Sequence, residues 1–303
     1  MKKLLSILVL LIAATPAQAA LKIFACEPEW GALATELGGK DIEVYVASSA
    51  LQDVHKIQPR PSLIARYHQA DLVVCTGAEL EIGWLPPLAE KGNNPKVNPG
   101  APGYFEASHF VQMLEVPQRL DRSEGDVHPY GNPHIQTGPQ NLLPVAKGLG
   151  DKLAELDPAH ADAYRQRTAD FGARWSAALA KWKAKAQPLA GVGVVSHHKT
   201  WVYLYDWLGV REITTLEPKP GIPPSGAQLE NVLATVKTHP AKMVVYAAYE
   251  DAHAAQWLSQ QAHIPAVQLP FSVGGLPGTD DLFGLVDVTL DRLLKGAQGQ
   301  GSP

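Results

Sequence analysis

Three histidines occupy positions where parallel sheets gather ligands. His55, His134 and His198 each lie in a loop that follows a predicted strand. In open α/β sheets, ligands bind at the carboxyl ends of the strands. His55 and His134 belong to the first half of the chain and His198 to the second, so the three imidazoles would meet between two lobes. Because imidazole nitrogen suits Zn²⁺, this pattern predicts a zinc site.

Spacing along the chain does not by itself bring these side chains together. A single loop histidine is more often an ordinary polar residue than a ligand. The sequence has no HExxH or CxxC signature of a zinc site. We interpret His109 and His128, which lie between the first two candidates, as solvated surface histidines.

The elements that must position the histidines alternate between short apolar strands and helical patterns, which is typical of an α/β fold with parallel sheets. We expect two lobes, each a small, mostly parallel sheet flanked by helices, joined by one long spine helix. The predicted strands are residues 21–25, 42–46, 72–75, 113–116, 191–195, 212–216, 242–246 and 266–269. The predicted helices include residues 30–37, 61–69, 200–208, 227–238, 251–262 and 281–294.

The segment between the two halves carries the pattern of the spine helix. Aromatic and other core-type residues recur there every three or four positions, on one face of a helix: Tyr164, Thr168, Phe171, Trp175, Leu179 and Trp182. A helix over residues 158–185 would be about 42 Å long at 1.5 Å per residue. The predicted organisation begins with a signal peptide (residues 1–19) and an N-terminal lobe (20–140). Linking helices (141–187), a C-terminal lobe (188–295) and a flexible tail (296–303) follow.

The first residues and the charge balance indicate an exported protein that does not bind nucleic acid. Lys2 and Lys3 precede an apolar run at residues 4–14, and Ala17-Gln18-Ala19 matches a small-x-small cleavage site. This order predicts a cleaved signal peptide and a periplasmic location. The 303 residues carry a formal net charge of -4, so the chain lacks the basic field that nucleic acid would need.

The two cysteines, Cys26 and Cys75, both stand at the ends of predicted strands. Neighbouring strands lie within the Cα separation that a disulfide requires, and disulfides persist in exported proteins. Two buried thiols that pack as small hydrophobes are equally compatible with the sequence. Both states therefore remain open.

Five segments, in the right order along the chain, resemble the periplasmic metal-binding receptors of ABC transporters, in particular the zinc-receptor type of the zinc and manganese group. Residues 46–61 resemble the first ligand motif of this family and place His55. The segment GNPHIQTGP places His134, and HKTWVYL places His198 rather than His197. The segments ADLVVCTGAELE and LEPKPGIPPS are also similar to family segments.

This resemblance implies a receptor and not an enzyme. It implies that His55, His134 and His198 bind Zn²⁺ in a cleft between the lobes, with Trp201 and Tyr203 as the family's aromatic pair. The receptor would act as a monomer and deliver its metal to the permease of an ABC transporter and the associated ATPase. It would contact the membrane only through that permease.

The sequence departs from the family pattern at the fourth ligand. Many relatives carry a carboxylate after the last strand, where this chain has Phe271-Ser272-Val273-Gly274. Water or Asp280 would then complete the site, although Asp is also a preferred N-cap for the last helix. Three imidazoles without an obvious carboxylate favour Zn²⁺ over Mn²⁺, which prefers harder oxygen ligands.

Two rival functions share these features. An exported zinc hydrolase would also use three protein ligands and water, with Glu79, Glu81 or Glu250 as candidate acid–base groups. A manganese or haem-type receptor would share the fold, with tyrosines that are candidate haem ligands: Tyr203, Tyr246 and Tyr249. An absorbance spectrum distinguishes the haem alternative.

Overall fold

Two four-stranded sheets, parallel throughout, form the cores of the two lobes in a computed structural model that describes residues 19–119, 125 and 128–301. The first sheet has the order β2-β1-β3-β4 and the second has the order β6-β5-β7-β8. The two lobes therefore repeat one strand arrangement, and the predicted fold class is confirmed. The predicted signal peptide, apart from Ala19, lies outside the described residues.

The strands are short and mostly buried. They are β1 (Leu21–Ala25), β2 (Ile42–Val46), β3 (Leu72–Cys75), β4 (Tyr104–Glu106), β5 (Gly193–Ser196), β6 (Arg211–Thr215), β7 (Met243–Ala247) and β8 (Ala266–Leu269). Every residue of β3, β5 and β7 is buried, as expected for the inner strands of parallel sheets covered on both faces. The helices that cover them are α1 (Pro28–Gly38), α2 (Pro61–Gln69), α3 (Leu85–Gly92), α4 (Leu142–Leu156), α5 (Ala161–Lys185), α6 (Val202–Leu208), α7 (Gly226–Thr238), α8 (His253–Ala262) and α9 (Leu282–Ala297).

The predicted strand at residues 113–116 is wrong. The fourth strand of the first sheet is β4, which precedes that segment and pairs with β3. The segment instead forms a contact between the lobes through its backbone, since the N–H of Leu114 donates to the Tyr203 hydroxyl, 3.1 Å away. Glu115 also has a φ of 52°, which is incompatible with a strand.

The predicted spine corresponds to α5, which begins at Ala161, three residues later than predicted, after a single 3₁₀ turn. Its aromatic side chains are buried: Trp175 donates to the carbonyl of Pro139 and Trp182 to the carboxylate of Asp287. These rings belong to one continuous apolar core that extends from the first sheet to the second. The two lobes thus share packing along α4 and α5.

Cys26 and Cys75 form a disulfide at the carboxyl ends of β1 and β3, with a Cα–Cα distance of 4.9 Å. Of the two states that the sequence left open, the structure therefore has the bridged one. The bridge lies on the edge of the first sheet where the loops begin. Within the described residues no helix has the length and apolar character of a membrane span.

The first turn of α9 differs from expectation. Asp281, and not Asp280, is its N-cap, and its side chain accepts from the backbone N–H of Gly284 at 2.7 Å. Asp280 is exposed. The N-cap of α7 is Ser225, whose side chain accepts from the backbone N–H of Gln228.

Candidate metal centre

His55, His134 and His198 converge between the two lobes. One ring nitrogen of each lies within 4.8 Å of those of the other two. Their ring centroids are 5.3, 5.8 and 5.2 Å apart. Imidazoles around one tetrahedral Zn²⁺, with Zn–N bonds of about 2.0 Å, would have ring centroids about 5 Å apart. The three rings are therefore spaced as ligands of a single ion would be.

His55 is oriented by a residue two positions before it. The carboxylate of Asp53 accepts from the backbone N–H of His55 at 3.0 Å and from its Nδ1 at 2.9 Å. Trp84 steadies the same turn, because its indole N–H donates to the carbonyl of Val54. Nδ1 is thereby occupied, and Nε2 is buried without a hydrogen-bond partner. Nε2 is thus the nitrogen of this ring that remains free to ligate a metal.

His134 repeats this arrangement with a neutral partner. The side-chain oxygen of Asn132 accepts from the backbone N–H of His134 at 3.0 Å and from Nδ1 at 2.9 Å. Asn132 also binds the second lobe, since its amide donates to the carbonyl of Lys199 and its own carbonyl accepts from the Tyr203 hydroxyl. His134 Nε2 is likewise buried and unpartnered. Burial, followed by the nearby His198 and His55, lowers the pKa of His134 well below its ordinary value.

His198 follows β5 and depends on a distant residue. Its Nδ1 lies 2.7 Å from a carboxylate oxygen of Glu217, which also accepts from the backbone N–H of Gly221. Burial alone would lower the pKa of His198, but the hydrogen bond and charge of Glu217 outweigh burial and raise it. His198 thus holds a proton more readily than His134 does.

His197 does not join the cluster. Its backbone N–H continues the β5–β7 pairing by donating to the carbonyl of Val245, and its Nδ1 is buried without a partner. The group of converging ring nitrogens contains His198 and does not contain His197. The loop after β5 thus brings His198, and not His197, to His55 and His134.

His109 and His128 were both predicted to be solvated, but they differ in their exposure to solvent. His109 is exposed and pairs with Glu106. His128 instead lies against the cluster: its ring centroid is 5.5 Å from that of His55. Both His128 and His134 line a cavity of about 100 Å³. Burial, followed by the nearby His55 and His198, lowers the pKa of His128 to about 4.

The carboxylates considered for the rival hydrolase, Glu79, Glu81 and Glu250, do not join the three histidines in their group of converging donor atoms. Glu81 is buried within the first lobe, and its carboxylate accepts from the backbone N–H groups of Thr76 and Gly77. Burial raises the pKa of Glu250 to about 8, and one of its oxygens accepts from the backbone N–H of Ala247. Asp280, the acid suggested as a fourth ligand, lines a separate cavity with Glu36.

Sequence reasoning missed the residues that orient the ligands. Asp53 and Asn132 each precede their histidine by two positions, so an acid or amide before a candidate ligand is a local signal that was present in the sequence. Glu217 lies 19 residues after His198 and has no such signal. Outer partners of this kind fix the tautomer and the direction of a ligating imidazole.

Two α/β lobes that hold a set of imidazoles between them define a two-lobed metal-binding protein. The comparison with known families agrees. Residues 23–296 match the model of the ZnuA family, described as zinc-uptake complex component A, periplasmic, and the chain belongs to this family. The family is one of uptake receptors and not of enzymes, so the hydrolase alternative is not supported.

Curated relatives and solved structures extend this result. The chain is 26% identical over 138 residues to a manganese ABC transporter substrate-binding lipoprotein of Streptococcus pneumoniae. This alignment covers 45% of this chain and 41% of that protein. It is 25% identical over 256 residues to the iron-binding protein YfeA of Yersinia pestis, which covers 80% and 76%. The match thus spans less than half the length of the streptococcal relative. A crystal structure of ZnuA has the same fold, with a TM-score of 0.76 at 20% identity, and the alignment covers 92% of this chain and 99% of that one.

Proposed function

We propose that this protein is a periplasmic receptor that binds one Zn²⁺ through His55, His134 and His198 and delivers it to an ABC transporter for import. The observation that carries this proposal is the convergence of three ring nitrogens from both lobes. In each ring the other nitrogen, Nδ1, is already held by an oxygen of the protein. The site is therefore prepared for a cation before one arrives, as tight binding requires.

The donor set supports zinc as the cargo. Neutral imidazole nitrogen is a ligand that Zn²⁺ favours, whereas Mn²⁺ favours carboxylate and water oxygen. In the described part of the chain, the converging group contains three histidines and no carboxylate. Relatives are named for manganese and iron, so the metal is the point at which this proposal departs from them.

Metal capture requires a neutral His198, and the raised pKa of this ring makes protons compete with the metal there. An imidazole must be neutral at the coordinating nitrogen, so binding releases a proton wherever the histidine was charged. Glu217 stays hydrogen-bonded to Nδ1, which leaves Nε2 as the nitrogen that gives up its proton and receives the metal. His134, whose pKa is lowered, is neutral already.

Export and delivery are supported by separate features. The Cys26–Cys75 disulfide is of the kind that persists outside the reducing cytosol. The start of the chain has the pattern of a cleaved signal peptide. A permease and its ATPase are the partners that a receptor of this family would serve, and the metal is its cargo.

The proposal is tested by the metal content of the protein purified from the periplasm of cells that express the full chain. We expect recovery in the periplasmic fraction, with about one zinc and little manganese or iron per chain. The matched control is His253→Ala, which removes an exposed histidine that also pairs with an aspartate two positions before it. Recovery in the cytosolic fraction, or a protein that carries mainly manganese, would contradict the proposal.

A further inference from the structure

The Cys26–Cys75 disulfide has a buried carboxylate beside it. An oxygen of Glu81 lies within 4.8 Å of both sulfur atoms, and all three residues are buried. Thiolate sulfur and carboxylate oxygen are both zinc ligands. This group shares no residue with the three converging histidines. While the disulfide is closed, its sulfurs are not thiolates and do not bind a metal as such.

A second carboxylate, that of Glu27, is held against the first. Glu27 directly follows Cys26 and is fully buried. One of its oxygens accepts from the Thr76 hydroxyl at 3.3 Å, and the other is buried without a hydrogen-bond partner. Burial, followed by the nearby charge of Glu81, raises the pKa of Glu27 well above its ordinary value. Two buried acids side by side, one with an orphaned oxygen, form a group that a cation would satisfy.

Backbone pairing holds the two cysteines side by side independently of the sulfur–sulfur bond. Cys75 ends β3 and Cys26 follows β1, and these strands pair in parallel. The N–H of Cys26 donates to the carbonyl of Val74 at 2.8 Å, and the Cα atoms of the two cysteines are 4.9 Å apart. Two thiolates on one tetrahedral zinc ion, with Zn–S bonds of about 2.3 Å, have sulfur atoms about 3.8 Å apart. Opening the disulfide therefore leaves two sulfurs within reach of a single ion.

A cavity gives a cation a route to this group. Glu81 lines a cavity of about 850 Å³ in the first lobe. Glu79, Glu90 and Glu106 line the same cavity, so its walls carry acidic side chains that attract cations. Because Glu81 also lies beside the two sulfur atoms, it connects the cavity to the buried cysteines.

We propose that reduction of the Cys26–Cys75 disulfide opens a second metal site in the first lobe, for a thiophilic divalent cation such as Zn²⁺. Its ligands are the two thiolates and the carboxylates of Glu27 and Glu81. A dithiol reductant supplies two electrons and two protons: the sulfur–sulfur bond breaks, two thiols form, and the reductant becomes a disulfide. Metal binding then releases the two thiol protons, and any proton on the carboxyl groups, to solvent. The site is closed in the oxidised protein and open in the reduced protein.

The test compares metal binding by the oxidised and reduced forms of the full chain. A phosphine opens the disulfide without adding a competing thiol, since it is oxidised to a phosphine oxide whose oxygen comes from water. With Co²⁺ as the probe, we expect one more ion per chain in the reduced form than in the oxidised form. The additional ion should show the near-ultraviolet absorption of a cobalt–thiolate bond, and Zn²⁺ should displace it. His134→Ala, which disables the interlobe site, should show the same gain on reduction.

Variants of single residues assign the ligands. Cys75→Ser should abolish the gain on reduction. Glu81→Gln should weaken the second site by at least about 10-fold, because loss of a ligand costs no less than loss of an outer partner. Glu90→Gln is the matched control: it changes an exposed acid that lines the same cavity and should leave the second site unchanged.

Three results would overturn the second site. They are equal numbers of ions in the two forms of the native chain, an additional ion without thiolate absorption, and loss of the fold on reduction, measured by circular dichroism. Each of them leaves the receptor function proposed above intact. An oxidised native protein that binds no zinc would instead overturn the receptor function and leave the second site standing.

Discussion

The two lobes orient their converging histidines by different means. In the first lobe, Asp53 and Asn132 each accept from both the backbone and the ring of the histidine two positions later. In the second lobe, His198 relies on Glu217 from the loop after β6. The first-lobe histidines are therefore oriented by local chain geometry, whereas His198 of the second lobe is oriented only when the loops after β5 and β6 are both in place.

A third acid–histidine pair shows what local geometry alone does not provide. Asp251 accepts from the backbone and the ring of His253, two positions later, as in the first lobe. This pair is exposed, and its histidine does not belong to the converging group. The local motif orients an imidazole, but a metal site also requires several such rings to meet.

Replacement of a first-lobe ligand should have the largest effect on this arrangement. His134→Ala removes a fully buried ligand whose Nε2 has no other partner. We expect zinc affinity to fall by at least about 100-fold, since loss of an outer partner alone costs about 10- to 100-fold. The measurement is chelator competition, with circular dichroism to confirm the fold. A folded His134→Ala that binds zinc as tightly as the native chain would exclude His134 as a ligand.

The neighbouring histidines of the second lobe sharpen the comparison within a single loop. His198→Ala should lose tight zinc binding, while His197→Ala should keep it, because only His198 lies in the converging group. The expected difference in affinity is again about 100-fold or more. If His197→Ala loses zinc and His198→Ala retains it, the assigned register of this loop is wrong.

Replacement of the residues that orient the histidines should have an intermediate effect on zinc affinity. One such residue from each lobe allows the two lobes to be compared directly. Glu217→Ala and Asp53→Ala each leave a ligand in place without its partner, so we expect losses of about 10- to 100-fold in zinc affinity. Asp251→Ala removes the equivalent partner from the exposed pair and should change nothing. Equal affinities for all three variants would show that the outer partners do not contribute.

The pH dependence of zinc binding should be determined mainly by His198, the histidine of the second lobe. The pKa of His198 is raised, so a proton competes with zinc at this ring before it does so at His134, whose pKa is lowered. Affinity should therefore fall as pH drops through the pKa of His198, by about 10-fold per pH unit for one displaced proton. In Glu217→Ala the fall should begin at a lower pH, because the group that raises the pKa is gone. Titrations at pH 5 to 8 in both proteins check this, and an affinity independent of pH would contradict it.

The sequence was sufficient for the parts of the molecule that depend on local pattern. The period of the apolar residues located most strands and the aromatic face of α5, and strand-end positions together with the family resemblance singled out the three histidines. The segment at residues 113–116 was misleading because its apolar pattern is typical of a strand, whereas its backbone bonds to the other lobe through the Leu114 N–H and the Tyr203 hydroxyl. Glu217 and His128 were missed because their relation to the site depends on which loops meet in space, and spacing along the chain does not encode that.

The central claim is that imidazoles from both lobes bind one zinc ion. Competition titration of the purified full chain, with Zn²⁺ and Mn²⁺ against a chromophoric chelator at neutral pH, tests it most directly. The structure predicts one tight Zn²⁺ site per chain and weaker binding of Mn²⁺, because the converging donors are nitrogens. No zinc binding, two equally tight zinc sites, or tighter binding of Mn²⁺ would contradict the account.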